Sequence, residues 1–331
     1  MPHSRLPHPA PVTPRFPFSR VLLARTRLAY VHLPNLLNDA KRDRSARISG
    51  YVAISLPEES VIIYLLGGEV ANATVRDAKG ARAVAIASAL QLVPEEAEYG
   101  EICFHEAEPE QLGCMFVAQS RAADPWPSDI KATDPAALFP YLSATTYDGT
   151  LEILAHESAN YVTLRDGTIA NAYLTGAPHG TVPERVNKLF AREGRGGDIR
   201  VLRWPAPTLL PVQAPAALVQ AYRELTAGLV QRLVAAGSES APALAEQARQ
   251  KLLSTHPSLD AFSGTGRAVK QPVADTQALT ADIAAWIRDL VWVSIDHEEQ
   301  SPVALLKELT WERRHMFQSA GLFDQMPWKV M

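Results

Sequence analysis

From Gly50 onward the apolar positions recur every second residue. Val52, Ile54 and Leu56 alternate with Tyr51, Ala53 and Ser55, and a period of two predicts a strand with one buried face. Pro57 to Ser60 supplies turn residues. Val61 to Leu66 is then a nearly unbroken apolar run rich in β-branched residues, the pattern of a more central strand. Gly67-Gly68 predicts a tight hairpin, because glycine reaches positive φ without steric cost, and Glu69 to Thr74 a third strand. Alanine-rich Asp77 to Gln91 predicts a helix whose Val84, Ile86, Ala87 and Leu90 cover a sheet. Gly100 to Phe104 reads as a fourth strand, and Leu33 to Lys41 as a short helix with proline in its first turn.

The same order then recurs. Asp134-Pro135 predicts a helix start carrying Leu138, Phe139 and Leu142. Strands follow at Gly149 to Ala155, Asn160 to Leu164 and Thr168 to Leu174, with Asp166-Gly167 as the hairpin dipeptide. A helix from about Val182 to Arg192 precedes Gly197 to Val201, which mirrors Gly100 to Phe104. Aligned at a constant offset, Gly50/Gly149, Ile54/Ile153, Glu58/Glu157, Leu65/Leu164 and Gly68/Gly167 are identical. So are Ala71-Asn72-Ala73 and Ala170-Asn171-Ala172. Chance supplies roughly one or two identities in such a window, so an internal duplication is the better account. The expected fold is α+β: two tandem αβββαβ units, each an antiparallel meander with covering helices. The repeated Gly50, Gly68, Asn72, Gly149, Gly167 and Asn171 read as structural, the asparagines closing their strands by bonding their own backbone.

Beyond Trp204 the period becomes helical. Leu218, Tyr222, Leu225, Leu229 and Leu233 step by three or four and stop at Gly237. Further helices are expected at Pro242 to Leu253, at Thr276 to Val293, and from Ser301-Pro302 to near Gly321. The expected organisation is a disordered Pro/Arg-rich tail at 1–24, a first unit at 25–106, a linker at 107–133, a second unit at 134–204, a Pro-rich linker at 205–215 and an all-α region at 216–331.

Composition narrows the classes. A length of 331 residues, 47% hydrophobic and 21% charged, suits a globular protein with several cores. A net charge of −4 provides no field to recruit nucleic acid or an anionic membrane. No apolar run nears the roughly 18 residues that span a bilayer, and residues 1–20 make a poor secretory signal. Cys103 and Cys114 form neither a disulfide framework nor a metal spacing and fit a reducing cytoplasm.

The order of a leucine-bearing helix, a polar stretch, G-x-[VL]-x-I, a hairpin, G-x-[VI]-x-x-A, a helix and a final strand resembles the bacterial PatA N-terminal (PATAN)-like domain, a domain of unknown function often joined to signalling domains. Leu33 to Phe104 matches best, with Leu36, Gly50, Gly68 and Ala73 at the signature places, and Leu138 to Val201 resembles a second, more divergent copy. The resemblance implies regulation or scaffolding through protein contacts, with response regulators as candidate partners. It carries over no catalytic residue. The chain departs from the family's usual company in lacking a receiver domain: Asp282, Asp289 and Asp296 lie on or after a helix.

Candidate chemistry is sparse. Among His3, His8, His32, His105, His156, His179, His256, His297 and His315 no two stand at the i, i+4 spacing of a helical metal site. Cys103 and His105 share one strand face at period two, half a metal site at most. There is no G-x-S-x-G elbow. Ser263-Gly264-Thr265-Gly266-Arg267 could hold an anion on its amides but lacks a P-loop lysine. Gly194 to Gly197 reads as a turn. The basic clusters at Lys41 to Arg47 and Arg313 to His315 read as solvated faces. Phe317, Leu322, Phe323, Met326 and Trp328 crowd the C-terminal tail: exposed they would be a partner site, and packed they would complete the helical core. The expectation is a cytoplasmic, non-enzymatic signalling or scaffold protein without a cofactor, recognising a protein and not nucleic acid. A ligand sensor or enzyme with a site between the two units is the alternative, and a homo-oligomer built by pairing sheet edges is a third reading.

Overall fold

The computed structural model describes residues 14–42, 47–94, 99–155, 157–176, 179–191, 199–205, 209–264, 272–294 and 301–328. The chain forms two compact units, 1–211 and 212–331. The first is mixed α and β with two antiparallel sheets, and the second is helical.

Unit 1 begins with β1 (Arg20–Arg27), α1 (Leu33–Arg42), β2 (Gly50–Ser55), β3 (Ser60–Leu66), β4 (Glu69–Asp77), β5 (Gly80–Ala83), α2 (Ile86–Leu92) and β6 (Glu101–Glu106). It continues with α3 (Pro109–Ser120), α4 (Pro135–Ala144), β7 (Gly149–Ala155), β8 (Ser158–Arg165), β9 (Thr168–Tyr173), α5 (Val182–Phe190) and β10 (Arg200–Pro205). The sheet orders are β1-β6-β2-β3-β4-β5 and β10-β7-β8-β9.

The alternating pattern decides the faces. Val52, Ile54, Val61, Ile63 and Leu65 bury against Leu33, Ala40 and Ala89 of the covering helices. Leu151, Ile153, Val162 and Leu164 bury against Leu138, Leu142, Val186 and Phe190. The hairpins take the expected turn, with positive φ at both Gly67 and Gly68, and at both Asp166 and Gly167. Asp134 caps α4 by accepting from the Ala136 amide at 2.9 Å.

The offset of 99 residues (149 − 50) extends beyond sequence identity. Gly50 pairs with Leu65 and Glu106, and Gly149 with Leu164 and Pro205. Both third strands break register at the same place, between Tyr64 and Leu65 and between Thr163 and Leu164. Gly68 donates its amide to Ile48, and Gly167 donates to Tyr147.

Several expectations are corrected. The helix expected from Asp77 starts only at Ile86, because Gly80–Ala83 instead adds an edge strand to β4. The last strands correspond at offset 99 and not at the sequence alignment's register: Ile102 faces Ile54 as Val201 faces Ile153. Gly194 to Gly197 lie outside the described residues. The expected tail, 1–24, is outside the described residues up to 13, yet Phe16 is buried and β1 begins at Arg20. From Pro14 onward the described residues form an irregular strap, not a disordered chain. The Pro-rich segment 205–215 is also tied down where described, with Leu210 buried and the Pro211 carbonyl accepting from Asn72 at 3.0 Å.

The largest correction concerns the linker at 107–133. It contains α3, whose Leu112, Cys114 and Met115 are fully buried. They share one core with Tyr51, Ile62 and Tyr64 of the first sheet and Ala159 and Tyr161 of the second. Pro109 does not break this helix; it starts it. A helix apolar on every side has no stripe for periodicity to detect, and such a helix is a buried one.

Unit 2 comprises α6 (Ala216–Ala235), α7 (Ala241–Leu252), α8 (Thr276–Ser294), α9 (Pro302–Thr310) and α10 (Arg314–Ser319) among its described residues. Its core unites Leu225, Leu229, Ile283, Trp286, Leu290 and Leu306. Gly237 stops α6 at φ +97°, and the next amide, of Ser238, reaches back to Leu233 at 3.0 Å. The single helix expected from Pro302 to Gly321 breaks at a short 3-10 turn, Trp311–Arg313.

Candidate functional site

The inner face of the first sheet is sealed by α3 only in part. Over β1, β6 and β2 it opens into a cleft of about 590 Å³. Its floor is set by period-two geometry. Opposite the core-facing Val52 and Ile54 stand Tyr51, Ala53 and Ser55, and opposite Ile102 and Phe104 stand Glu101, Cys103 and His105. Ala53 and Ser55 are small, which leaves the space. The strap at 14–18 forms a wall with Phe16 and Phe18. Backbone bonds from Arg15 to Glu157 (2.7 Å) and from Ala159 to Arg15 (2.9 Å) anchor the strap to the β7–β8 turn, so Glu157 closes one end.

The equivalent positions of the second sheet are filled differently. At offset 99, Ala53 becomes Glu152, Ser55 becomes Leu154, Cys103 becomes Leu202 and His105 becomes Trp204. Trp204 is buried and donates its indole N–H to the Arg121 carbonyl at 3.2 Å. The cleft therefore lies where the two sheets differ.

The cleft's aromatic groups form a continuous series. Phe18 stacks on His105 at 4.4 Å and 27°, His105 stands edge-on to Tyr51 at 5.3 Å, and Tyr51 edge-on to Phe16 at 5.9 Å. Tyr51 Oη lies 3.0 Å from His105 Nδ1, 3.2 Å from the Pro17 carbonyl and 3.3 Å from the Phe16 carbonyl. A hydroxyl has one proton. All these contacts are favourable only if that proton goes to the carbonyls and His105 Nδ1–H donates to Tyr51. Nε2 of the neutral ring then carries the lone pair.

Burial lowers the His105 pKa, so the neutral ring is the favoured form. Burial raises the pKa of Cys103 and outweighs the bond its thiol donates toward the Ala53 carbonyl. This thiol is protonated at neutral pH and so is a poor nucleophile. Glu59 is raised by burial and then by Asp77, with Arg82 opposing. Arg25 pairs with Glu101 across the rim.

The seam between the two sheets holds a second group of polar residues. Glu152 is 3% exposed, accepts from Tyr161 Oη at 2.9 Å, and is raised by burial. Cys114 lies 3.5 Å from Thr150 Oγ1, and its thiol is pushed up to about 12 by burial. The repeated asparagines differ: Asn72 accepts from the next amide, of Ala73, at 2.9 Å and spans to Pro211, whereas Asn171 donates to Glu110 of α3 at 2.7 Å.

The other candidates resolve into structure. Phe317, Leu322 and Met326 are buried in the helical core, and Phe323 and Trp328 pack against it. The proposed partner-binding tail is therefore core, because its apolar side chains find their burial in the same unit. Gly264 donates its amide to Glu246, which Arg249 holds down at about 2; an internal carboxylate takes the place of an outside anion. Thr265 to Arg267 lie outside the described residues, as do His3, His8, His156 and His297.

His256 Nδ1 lies 2.7 Å from Asp282, whose other oxygen accepts from the Ser258 amide at 3.0 Å. The sequence separation of 26 residues hid this pair, which ties a 3-10 turn to α8. Lys41 pairs with Glu69 and Arg313 with Glu224. No cluster of three metal-ligating side chains occurs among the described residues. Nor does any described helix have the length and apolarity to cross a membrane.

The helical unit exposes two tryptophans instead of the tail, Trp292 at 84% and Trp311 at 66%. Sequence periodicity places Trp292 off the stripe of Leu279, Ile283 and Trp286, which was a usable signal. Phe18, Tyr51, Arg25 and Glu101 were missed as site residues. The usable signal was the polar row Glu101, Cys103, His105 beside the small-residue row of β2. Compared with known proteins, the chain matches no family model, no curated protein and no solved structure.

Proposed function

We propose that this chain is a non-catalytic bacterial signalling scaffold, built from two PATAN-like copies of one αβββαβ unit and a helical region, that acts in the cytoplasm by recognising a protein. The shared strand order, register break and glycine contacts at offset 99 support the duplication. The observation that carries recognition is the exposure of Trp292 and Trp311, since tryptophan is the side chain most enriched at energetic centres of interfaces. Response regulators are the partners to test first, because the PATAN resemblance points to them. Capture of purified receiver proteins from the native cell is expected, and W292A/W311A should reduce it about tenfold with the circular dichroism unchanged. Capture unaffected by both changes sinks the recognition surface.

A second reading is favoured by the cleft: a ligand site on the first sheet. It combines an open cleft of small-molecule size with a few converging polar groups, as small-molecule sites do. Its thiol is protonated and its histidine is bound to Tyr51, which supports binding over nucleophilic chemistry.

A further inference from the structure

The cleft's lining restricts what it can hold. Its volume of about 590 Å³ lies in the range of single small-molecule sites. One wall is aromatic: Phe18 keeps 48% of its surface exposed while stacked on His105, so an aromatic face is presented to a ligand without further rearrangement. Such faces favour planar partners in offset-stacked or edge-on geometry.

The floor is neutral and soft, made of Ala53, Ser55 and the protonated Cys103. The rim carries Arg15 and Arg25 against Glu59, Glu101 and Glu157, with Arg25 committed to Glu101. Mixed signs provide no focused field of the kind that selects a phosphate or another polyanion. Away from that charged rim, the relay from His105 to Tyr51 to the Pro17 carbonyl sets the sense of one uncharged group, leaving His105 Nε2 as an acceptor. That acceptor asks for a donor on the ligand.

We infer that this cleft binds a planar, uncharged heteroaromatic molecule of nucleoside size, stacked on the Phe18–His105 wall and donating a hydrogen bond to His105. This rests on the second reading above, that the cleft is a ligand site. The absence of such a cleft's lining residues from the equivalent strands of the second sheet makes the site specific to the first. It also gives the means of closing it, since His105→Trp and Ser55→Leu install residues that the same strand positions already accommodate at Trp204 and Leu154.

Cys103 makes the test local. It lines the cleft, whereas Cys114 is buried within α3, so modification of the folded full-length chain by a thiol reagent reports on the cleft. Adenosine and lumichrome serve as neutral planar probes, citrate as an anion and 1-octanol as an aliphatic. The planar probes are expected to slow Cys103 modification at saturation, with dissociation constants from calorimetry. Phe18→Ala should weaken them about tenfold, the usual loss when an aromatic stacking platform is removed. The S55L/H105W chain should lose them altogether while keeping its unfolding temperature.

Equal or stronger protection by citrate or 1-octanol overturns the ligand class but leaves the site. No protection by any probe, or binding that survives the filled cleft, overturns both. W292A/W311A should leave probe binding unchanged, which separates this site from the recognition surface of the helical unit.

Discussion

Single residues divide here into those fixed by the backbone and those fixed by burial. Gly68 and Gly167 have φ of +86° and +72°, and a Cβ on either would meet a helix carbonyl at 2.5 Å, that of Ala40 or Leu142. Gly67 has φ +56° with open space around it. Alanine at Gly67 should cost about 1 kcal/mol of left-handed strain. At Gly167 the same change should cost roughly twice that or more, because backbone must also move; urea unfolding of the two variants gives the comparison. Glu152 is the opposite case, set by its surroundings. Desolvation raises its pKa against the Tyr161 hydrogen bond and the fields of Arg76 and Arg200. A raised folded-state value means the contribution to stability is complete below the ordinary carboxylate range and is lost as pH rises through the folded value. Glu152→Gln, which keeps an acceptor for Tyr161 and loses no proton, should raise the unfolding temperature at pH 8 and flatten its fall between pH 5 and 8. An unchanged slope would show that Glu152 is not the group responsible.

Among the elements, α3 has the most consequence. It lies on both sheets, buries nearly every side chain, and is tied at its start by Glu110 to Asn171 and Tyr173 at 2.7 Å. Leu112→Ala removes a fully buried side chain there and should cost about 2–5 kcal/mol, seen as a lower urea midpoint. The outer helices were legible because each keeps a wet face, which writes a period near 3.6 into the sequence, and the strands because apolar runs stand between turn residues, although β3 and β8 are buried on both faces. Nothing of that kind marks α3, and the prolines around it imitate a linker. Strand β1 was hidden for a related reason: as an edge strand with irregular register and Arg20, Arg25 and Arg27, it carries little apolar alternation. Those same features discourage pairing with a second chain, which weighs against assembly through this edge.

At the scale of the whole molecule the two units have separate cores, and the C-terminal segment belongs to the helical one. Leu322 and Met326 are each buried there, at about 1.5–3 kcal/mol per side chain. Deletion of 322–331 should therefore lower the thermal stability of unit 2 by several kcal/mol, followed by the far-ultraviolet helical signal; a truncated chain that melts like the full one would contradict the packing. Sequence alone determined the α+β character, the hairpins and the main helices of the helical region. These depend on local spacing and on which face is apolar, and local spacing is written along the chain. Tertiary structure alone decided that a supposed linker fills the seam between the sheets, that a supposed tail forms a strap, and that Tyr51, Cys103 and His105 share a cleft. The physical reason is the same in each case: residues far apart in sequence are joined by burial, and burial depends on what arrives from elsewhere to cover a face.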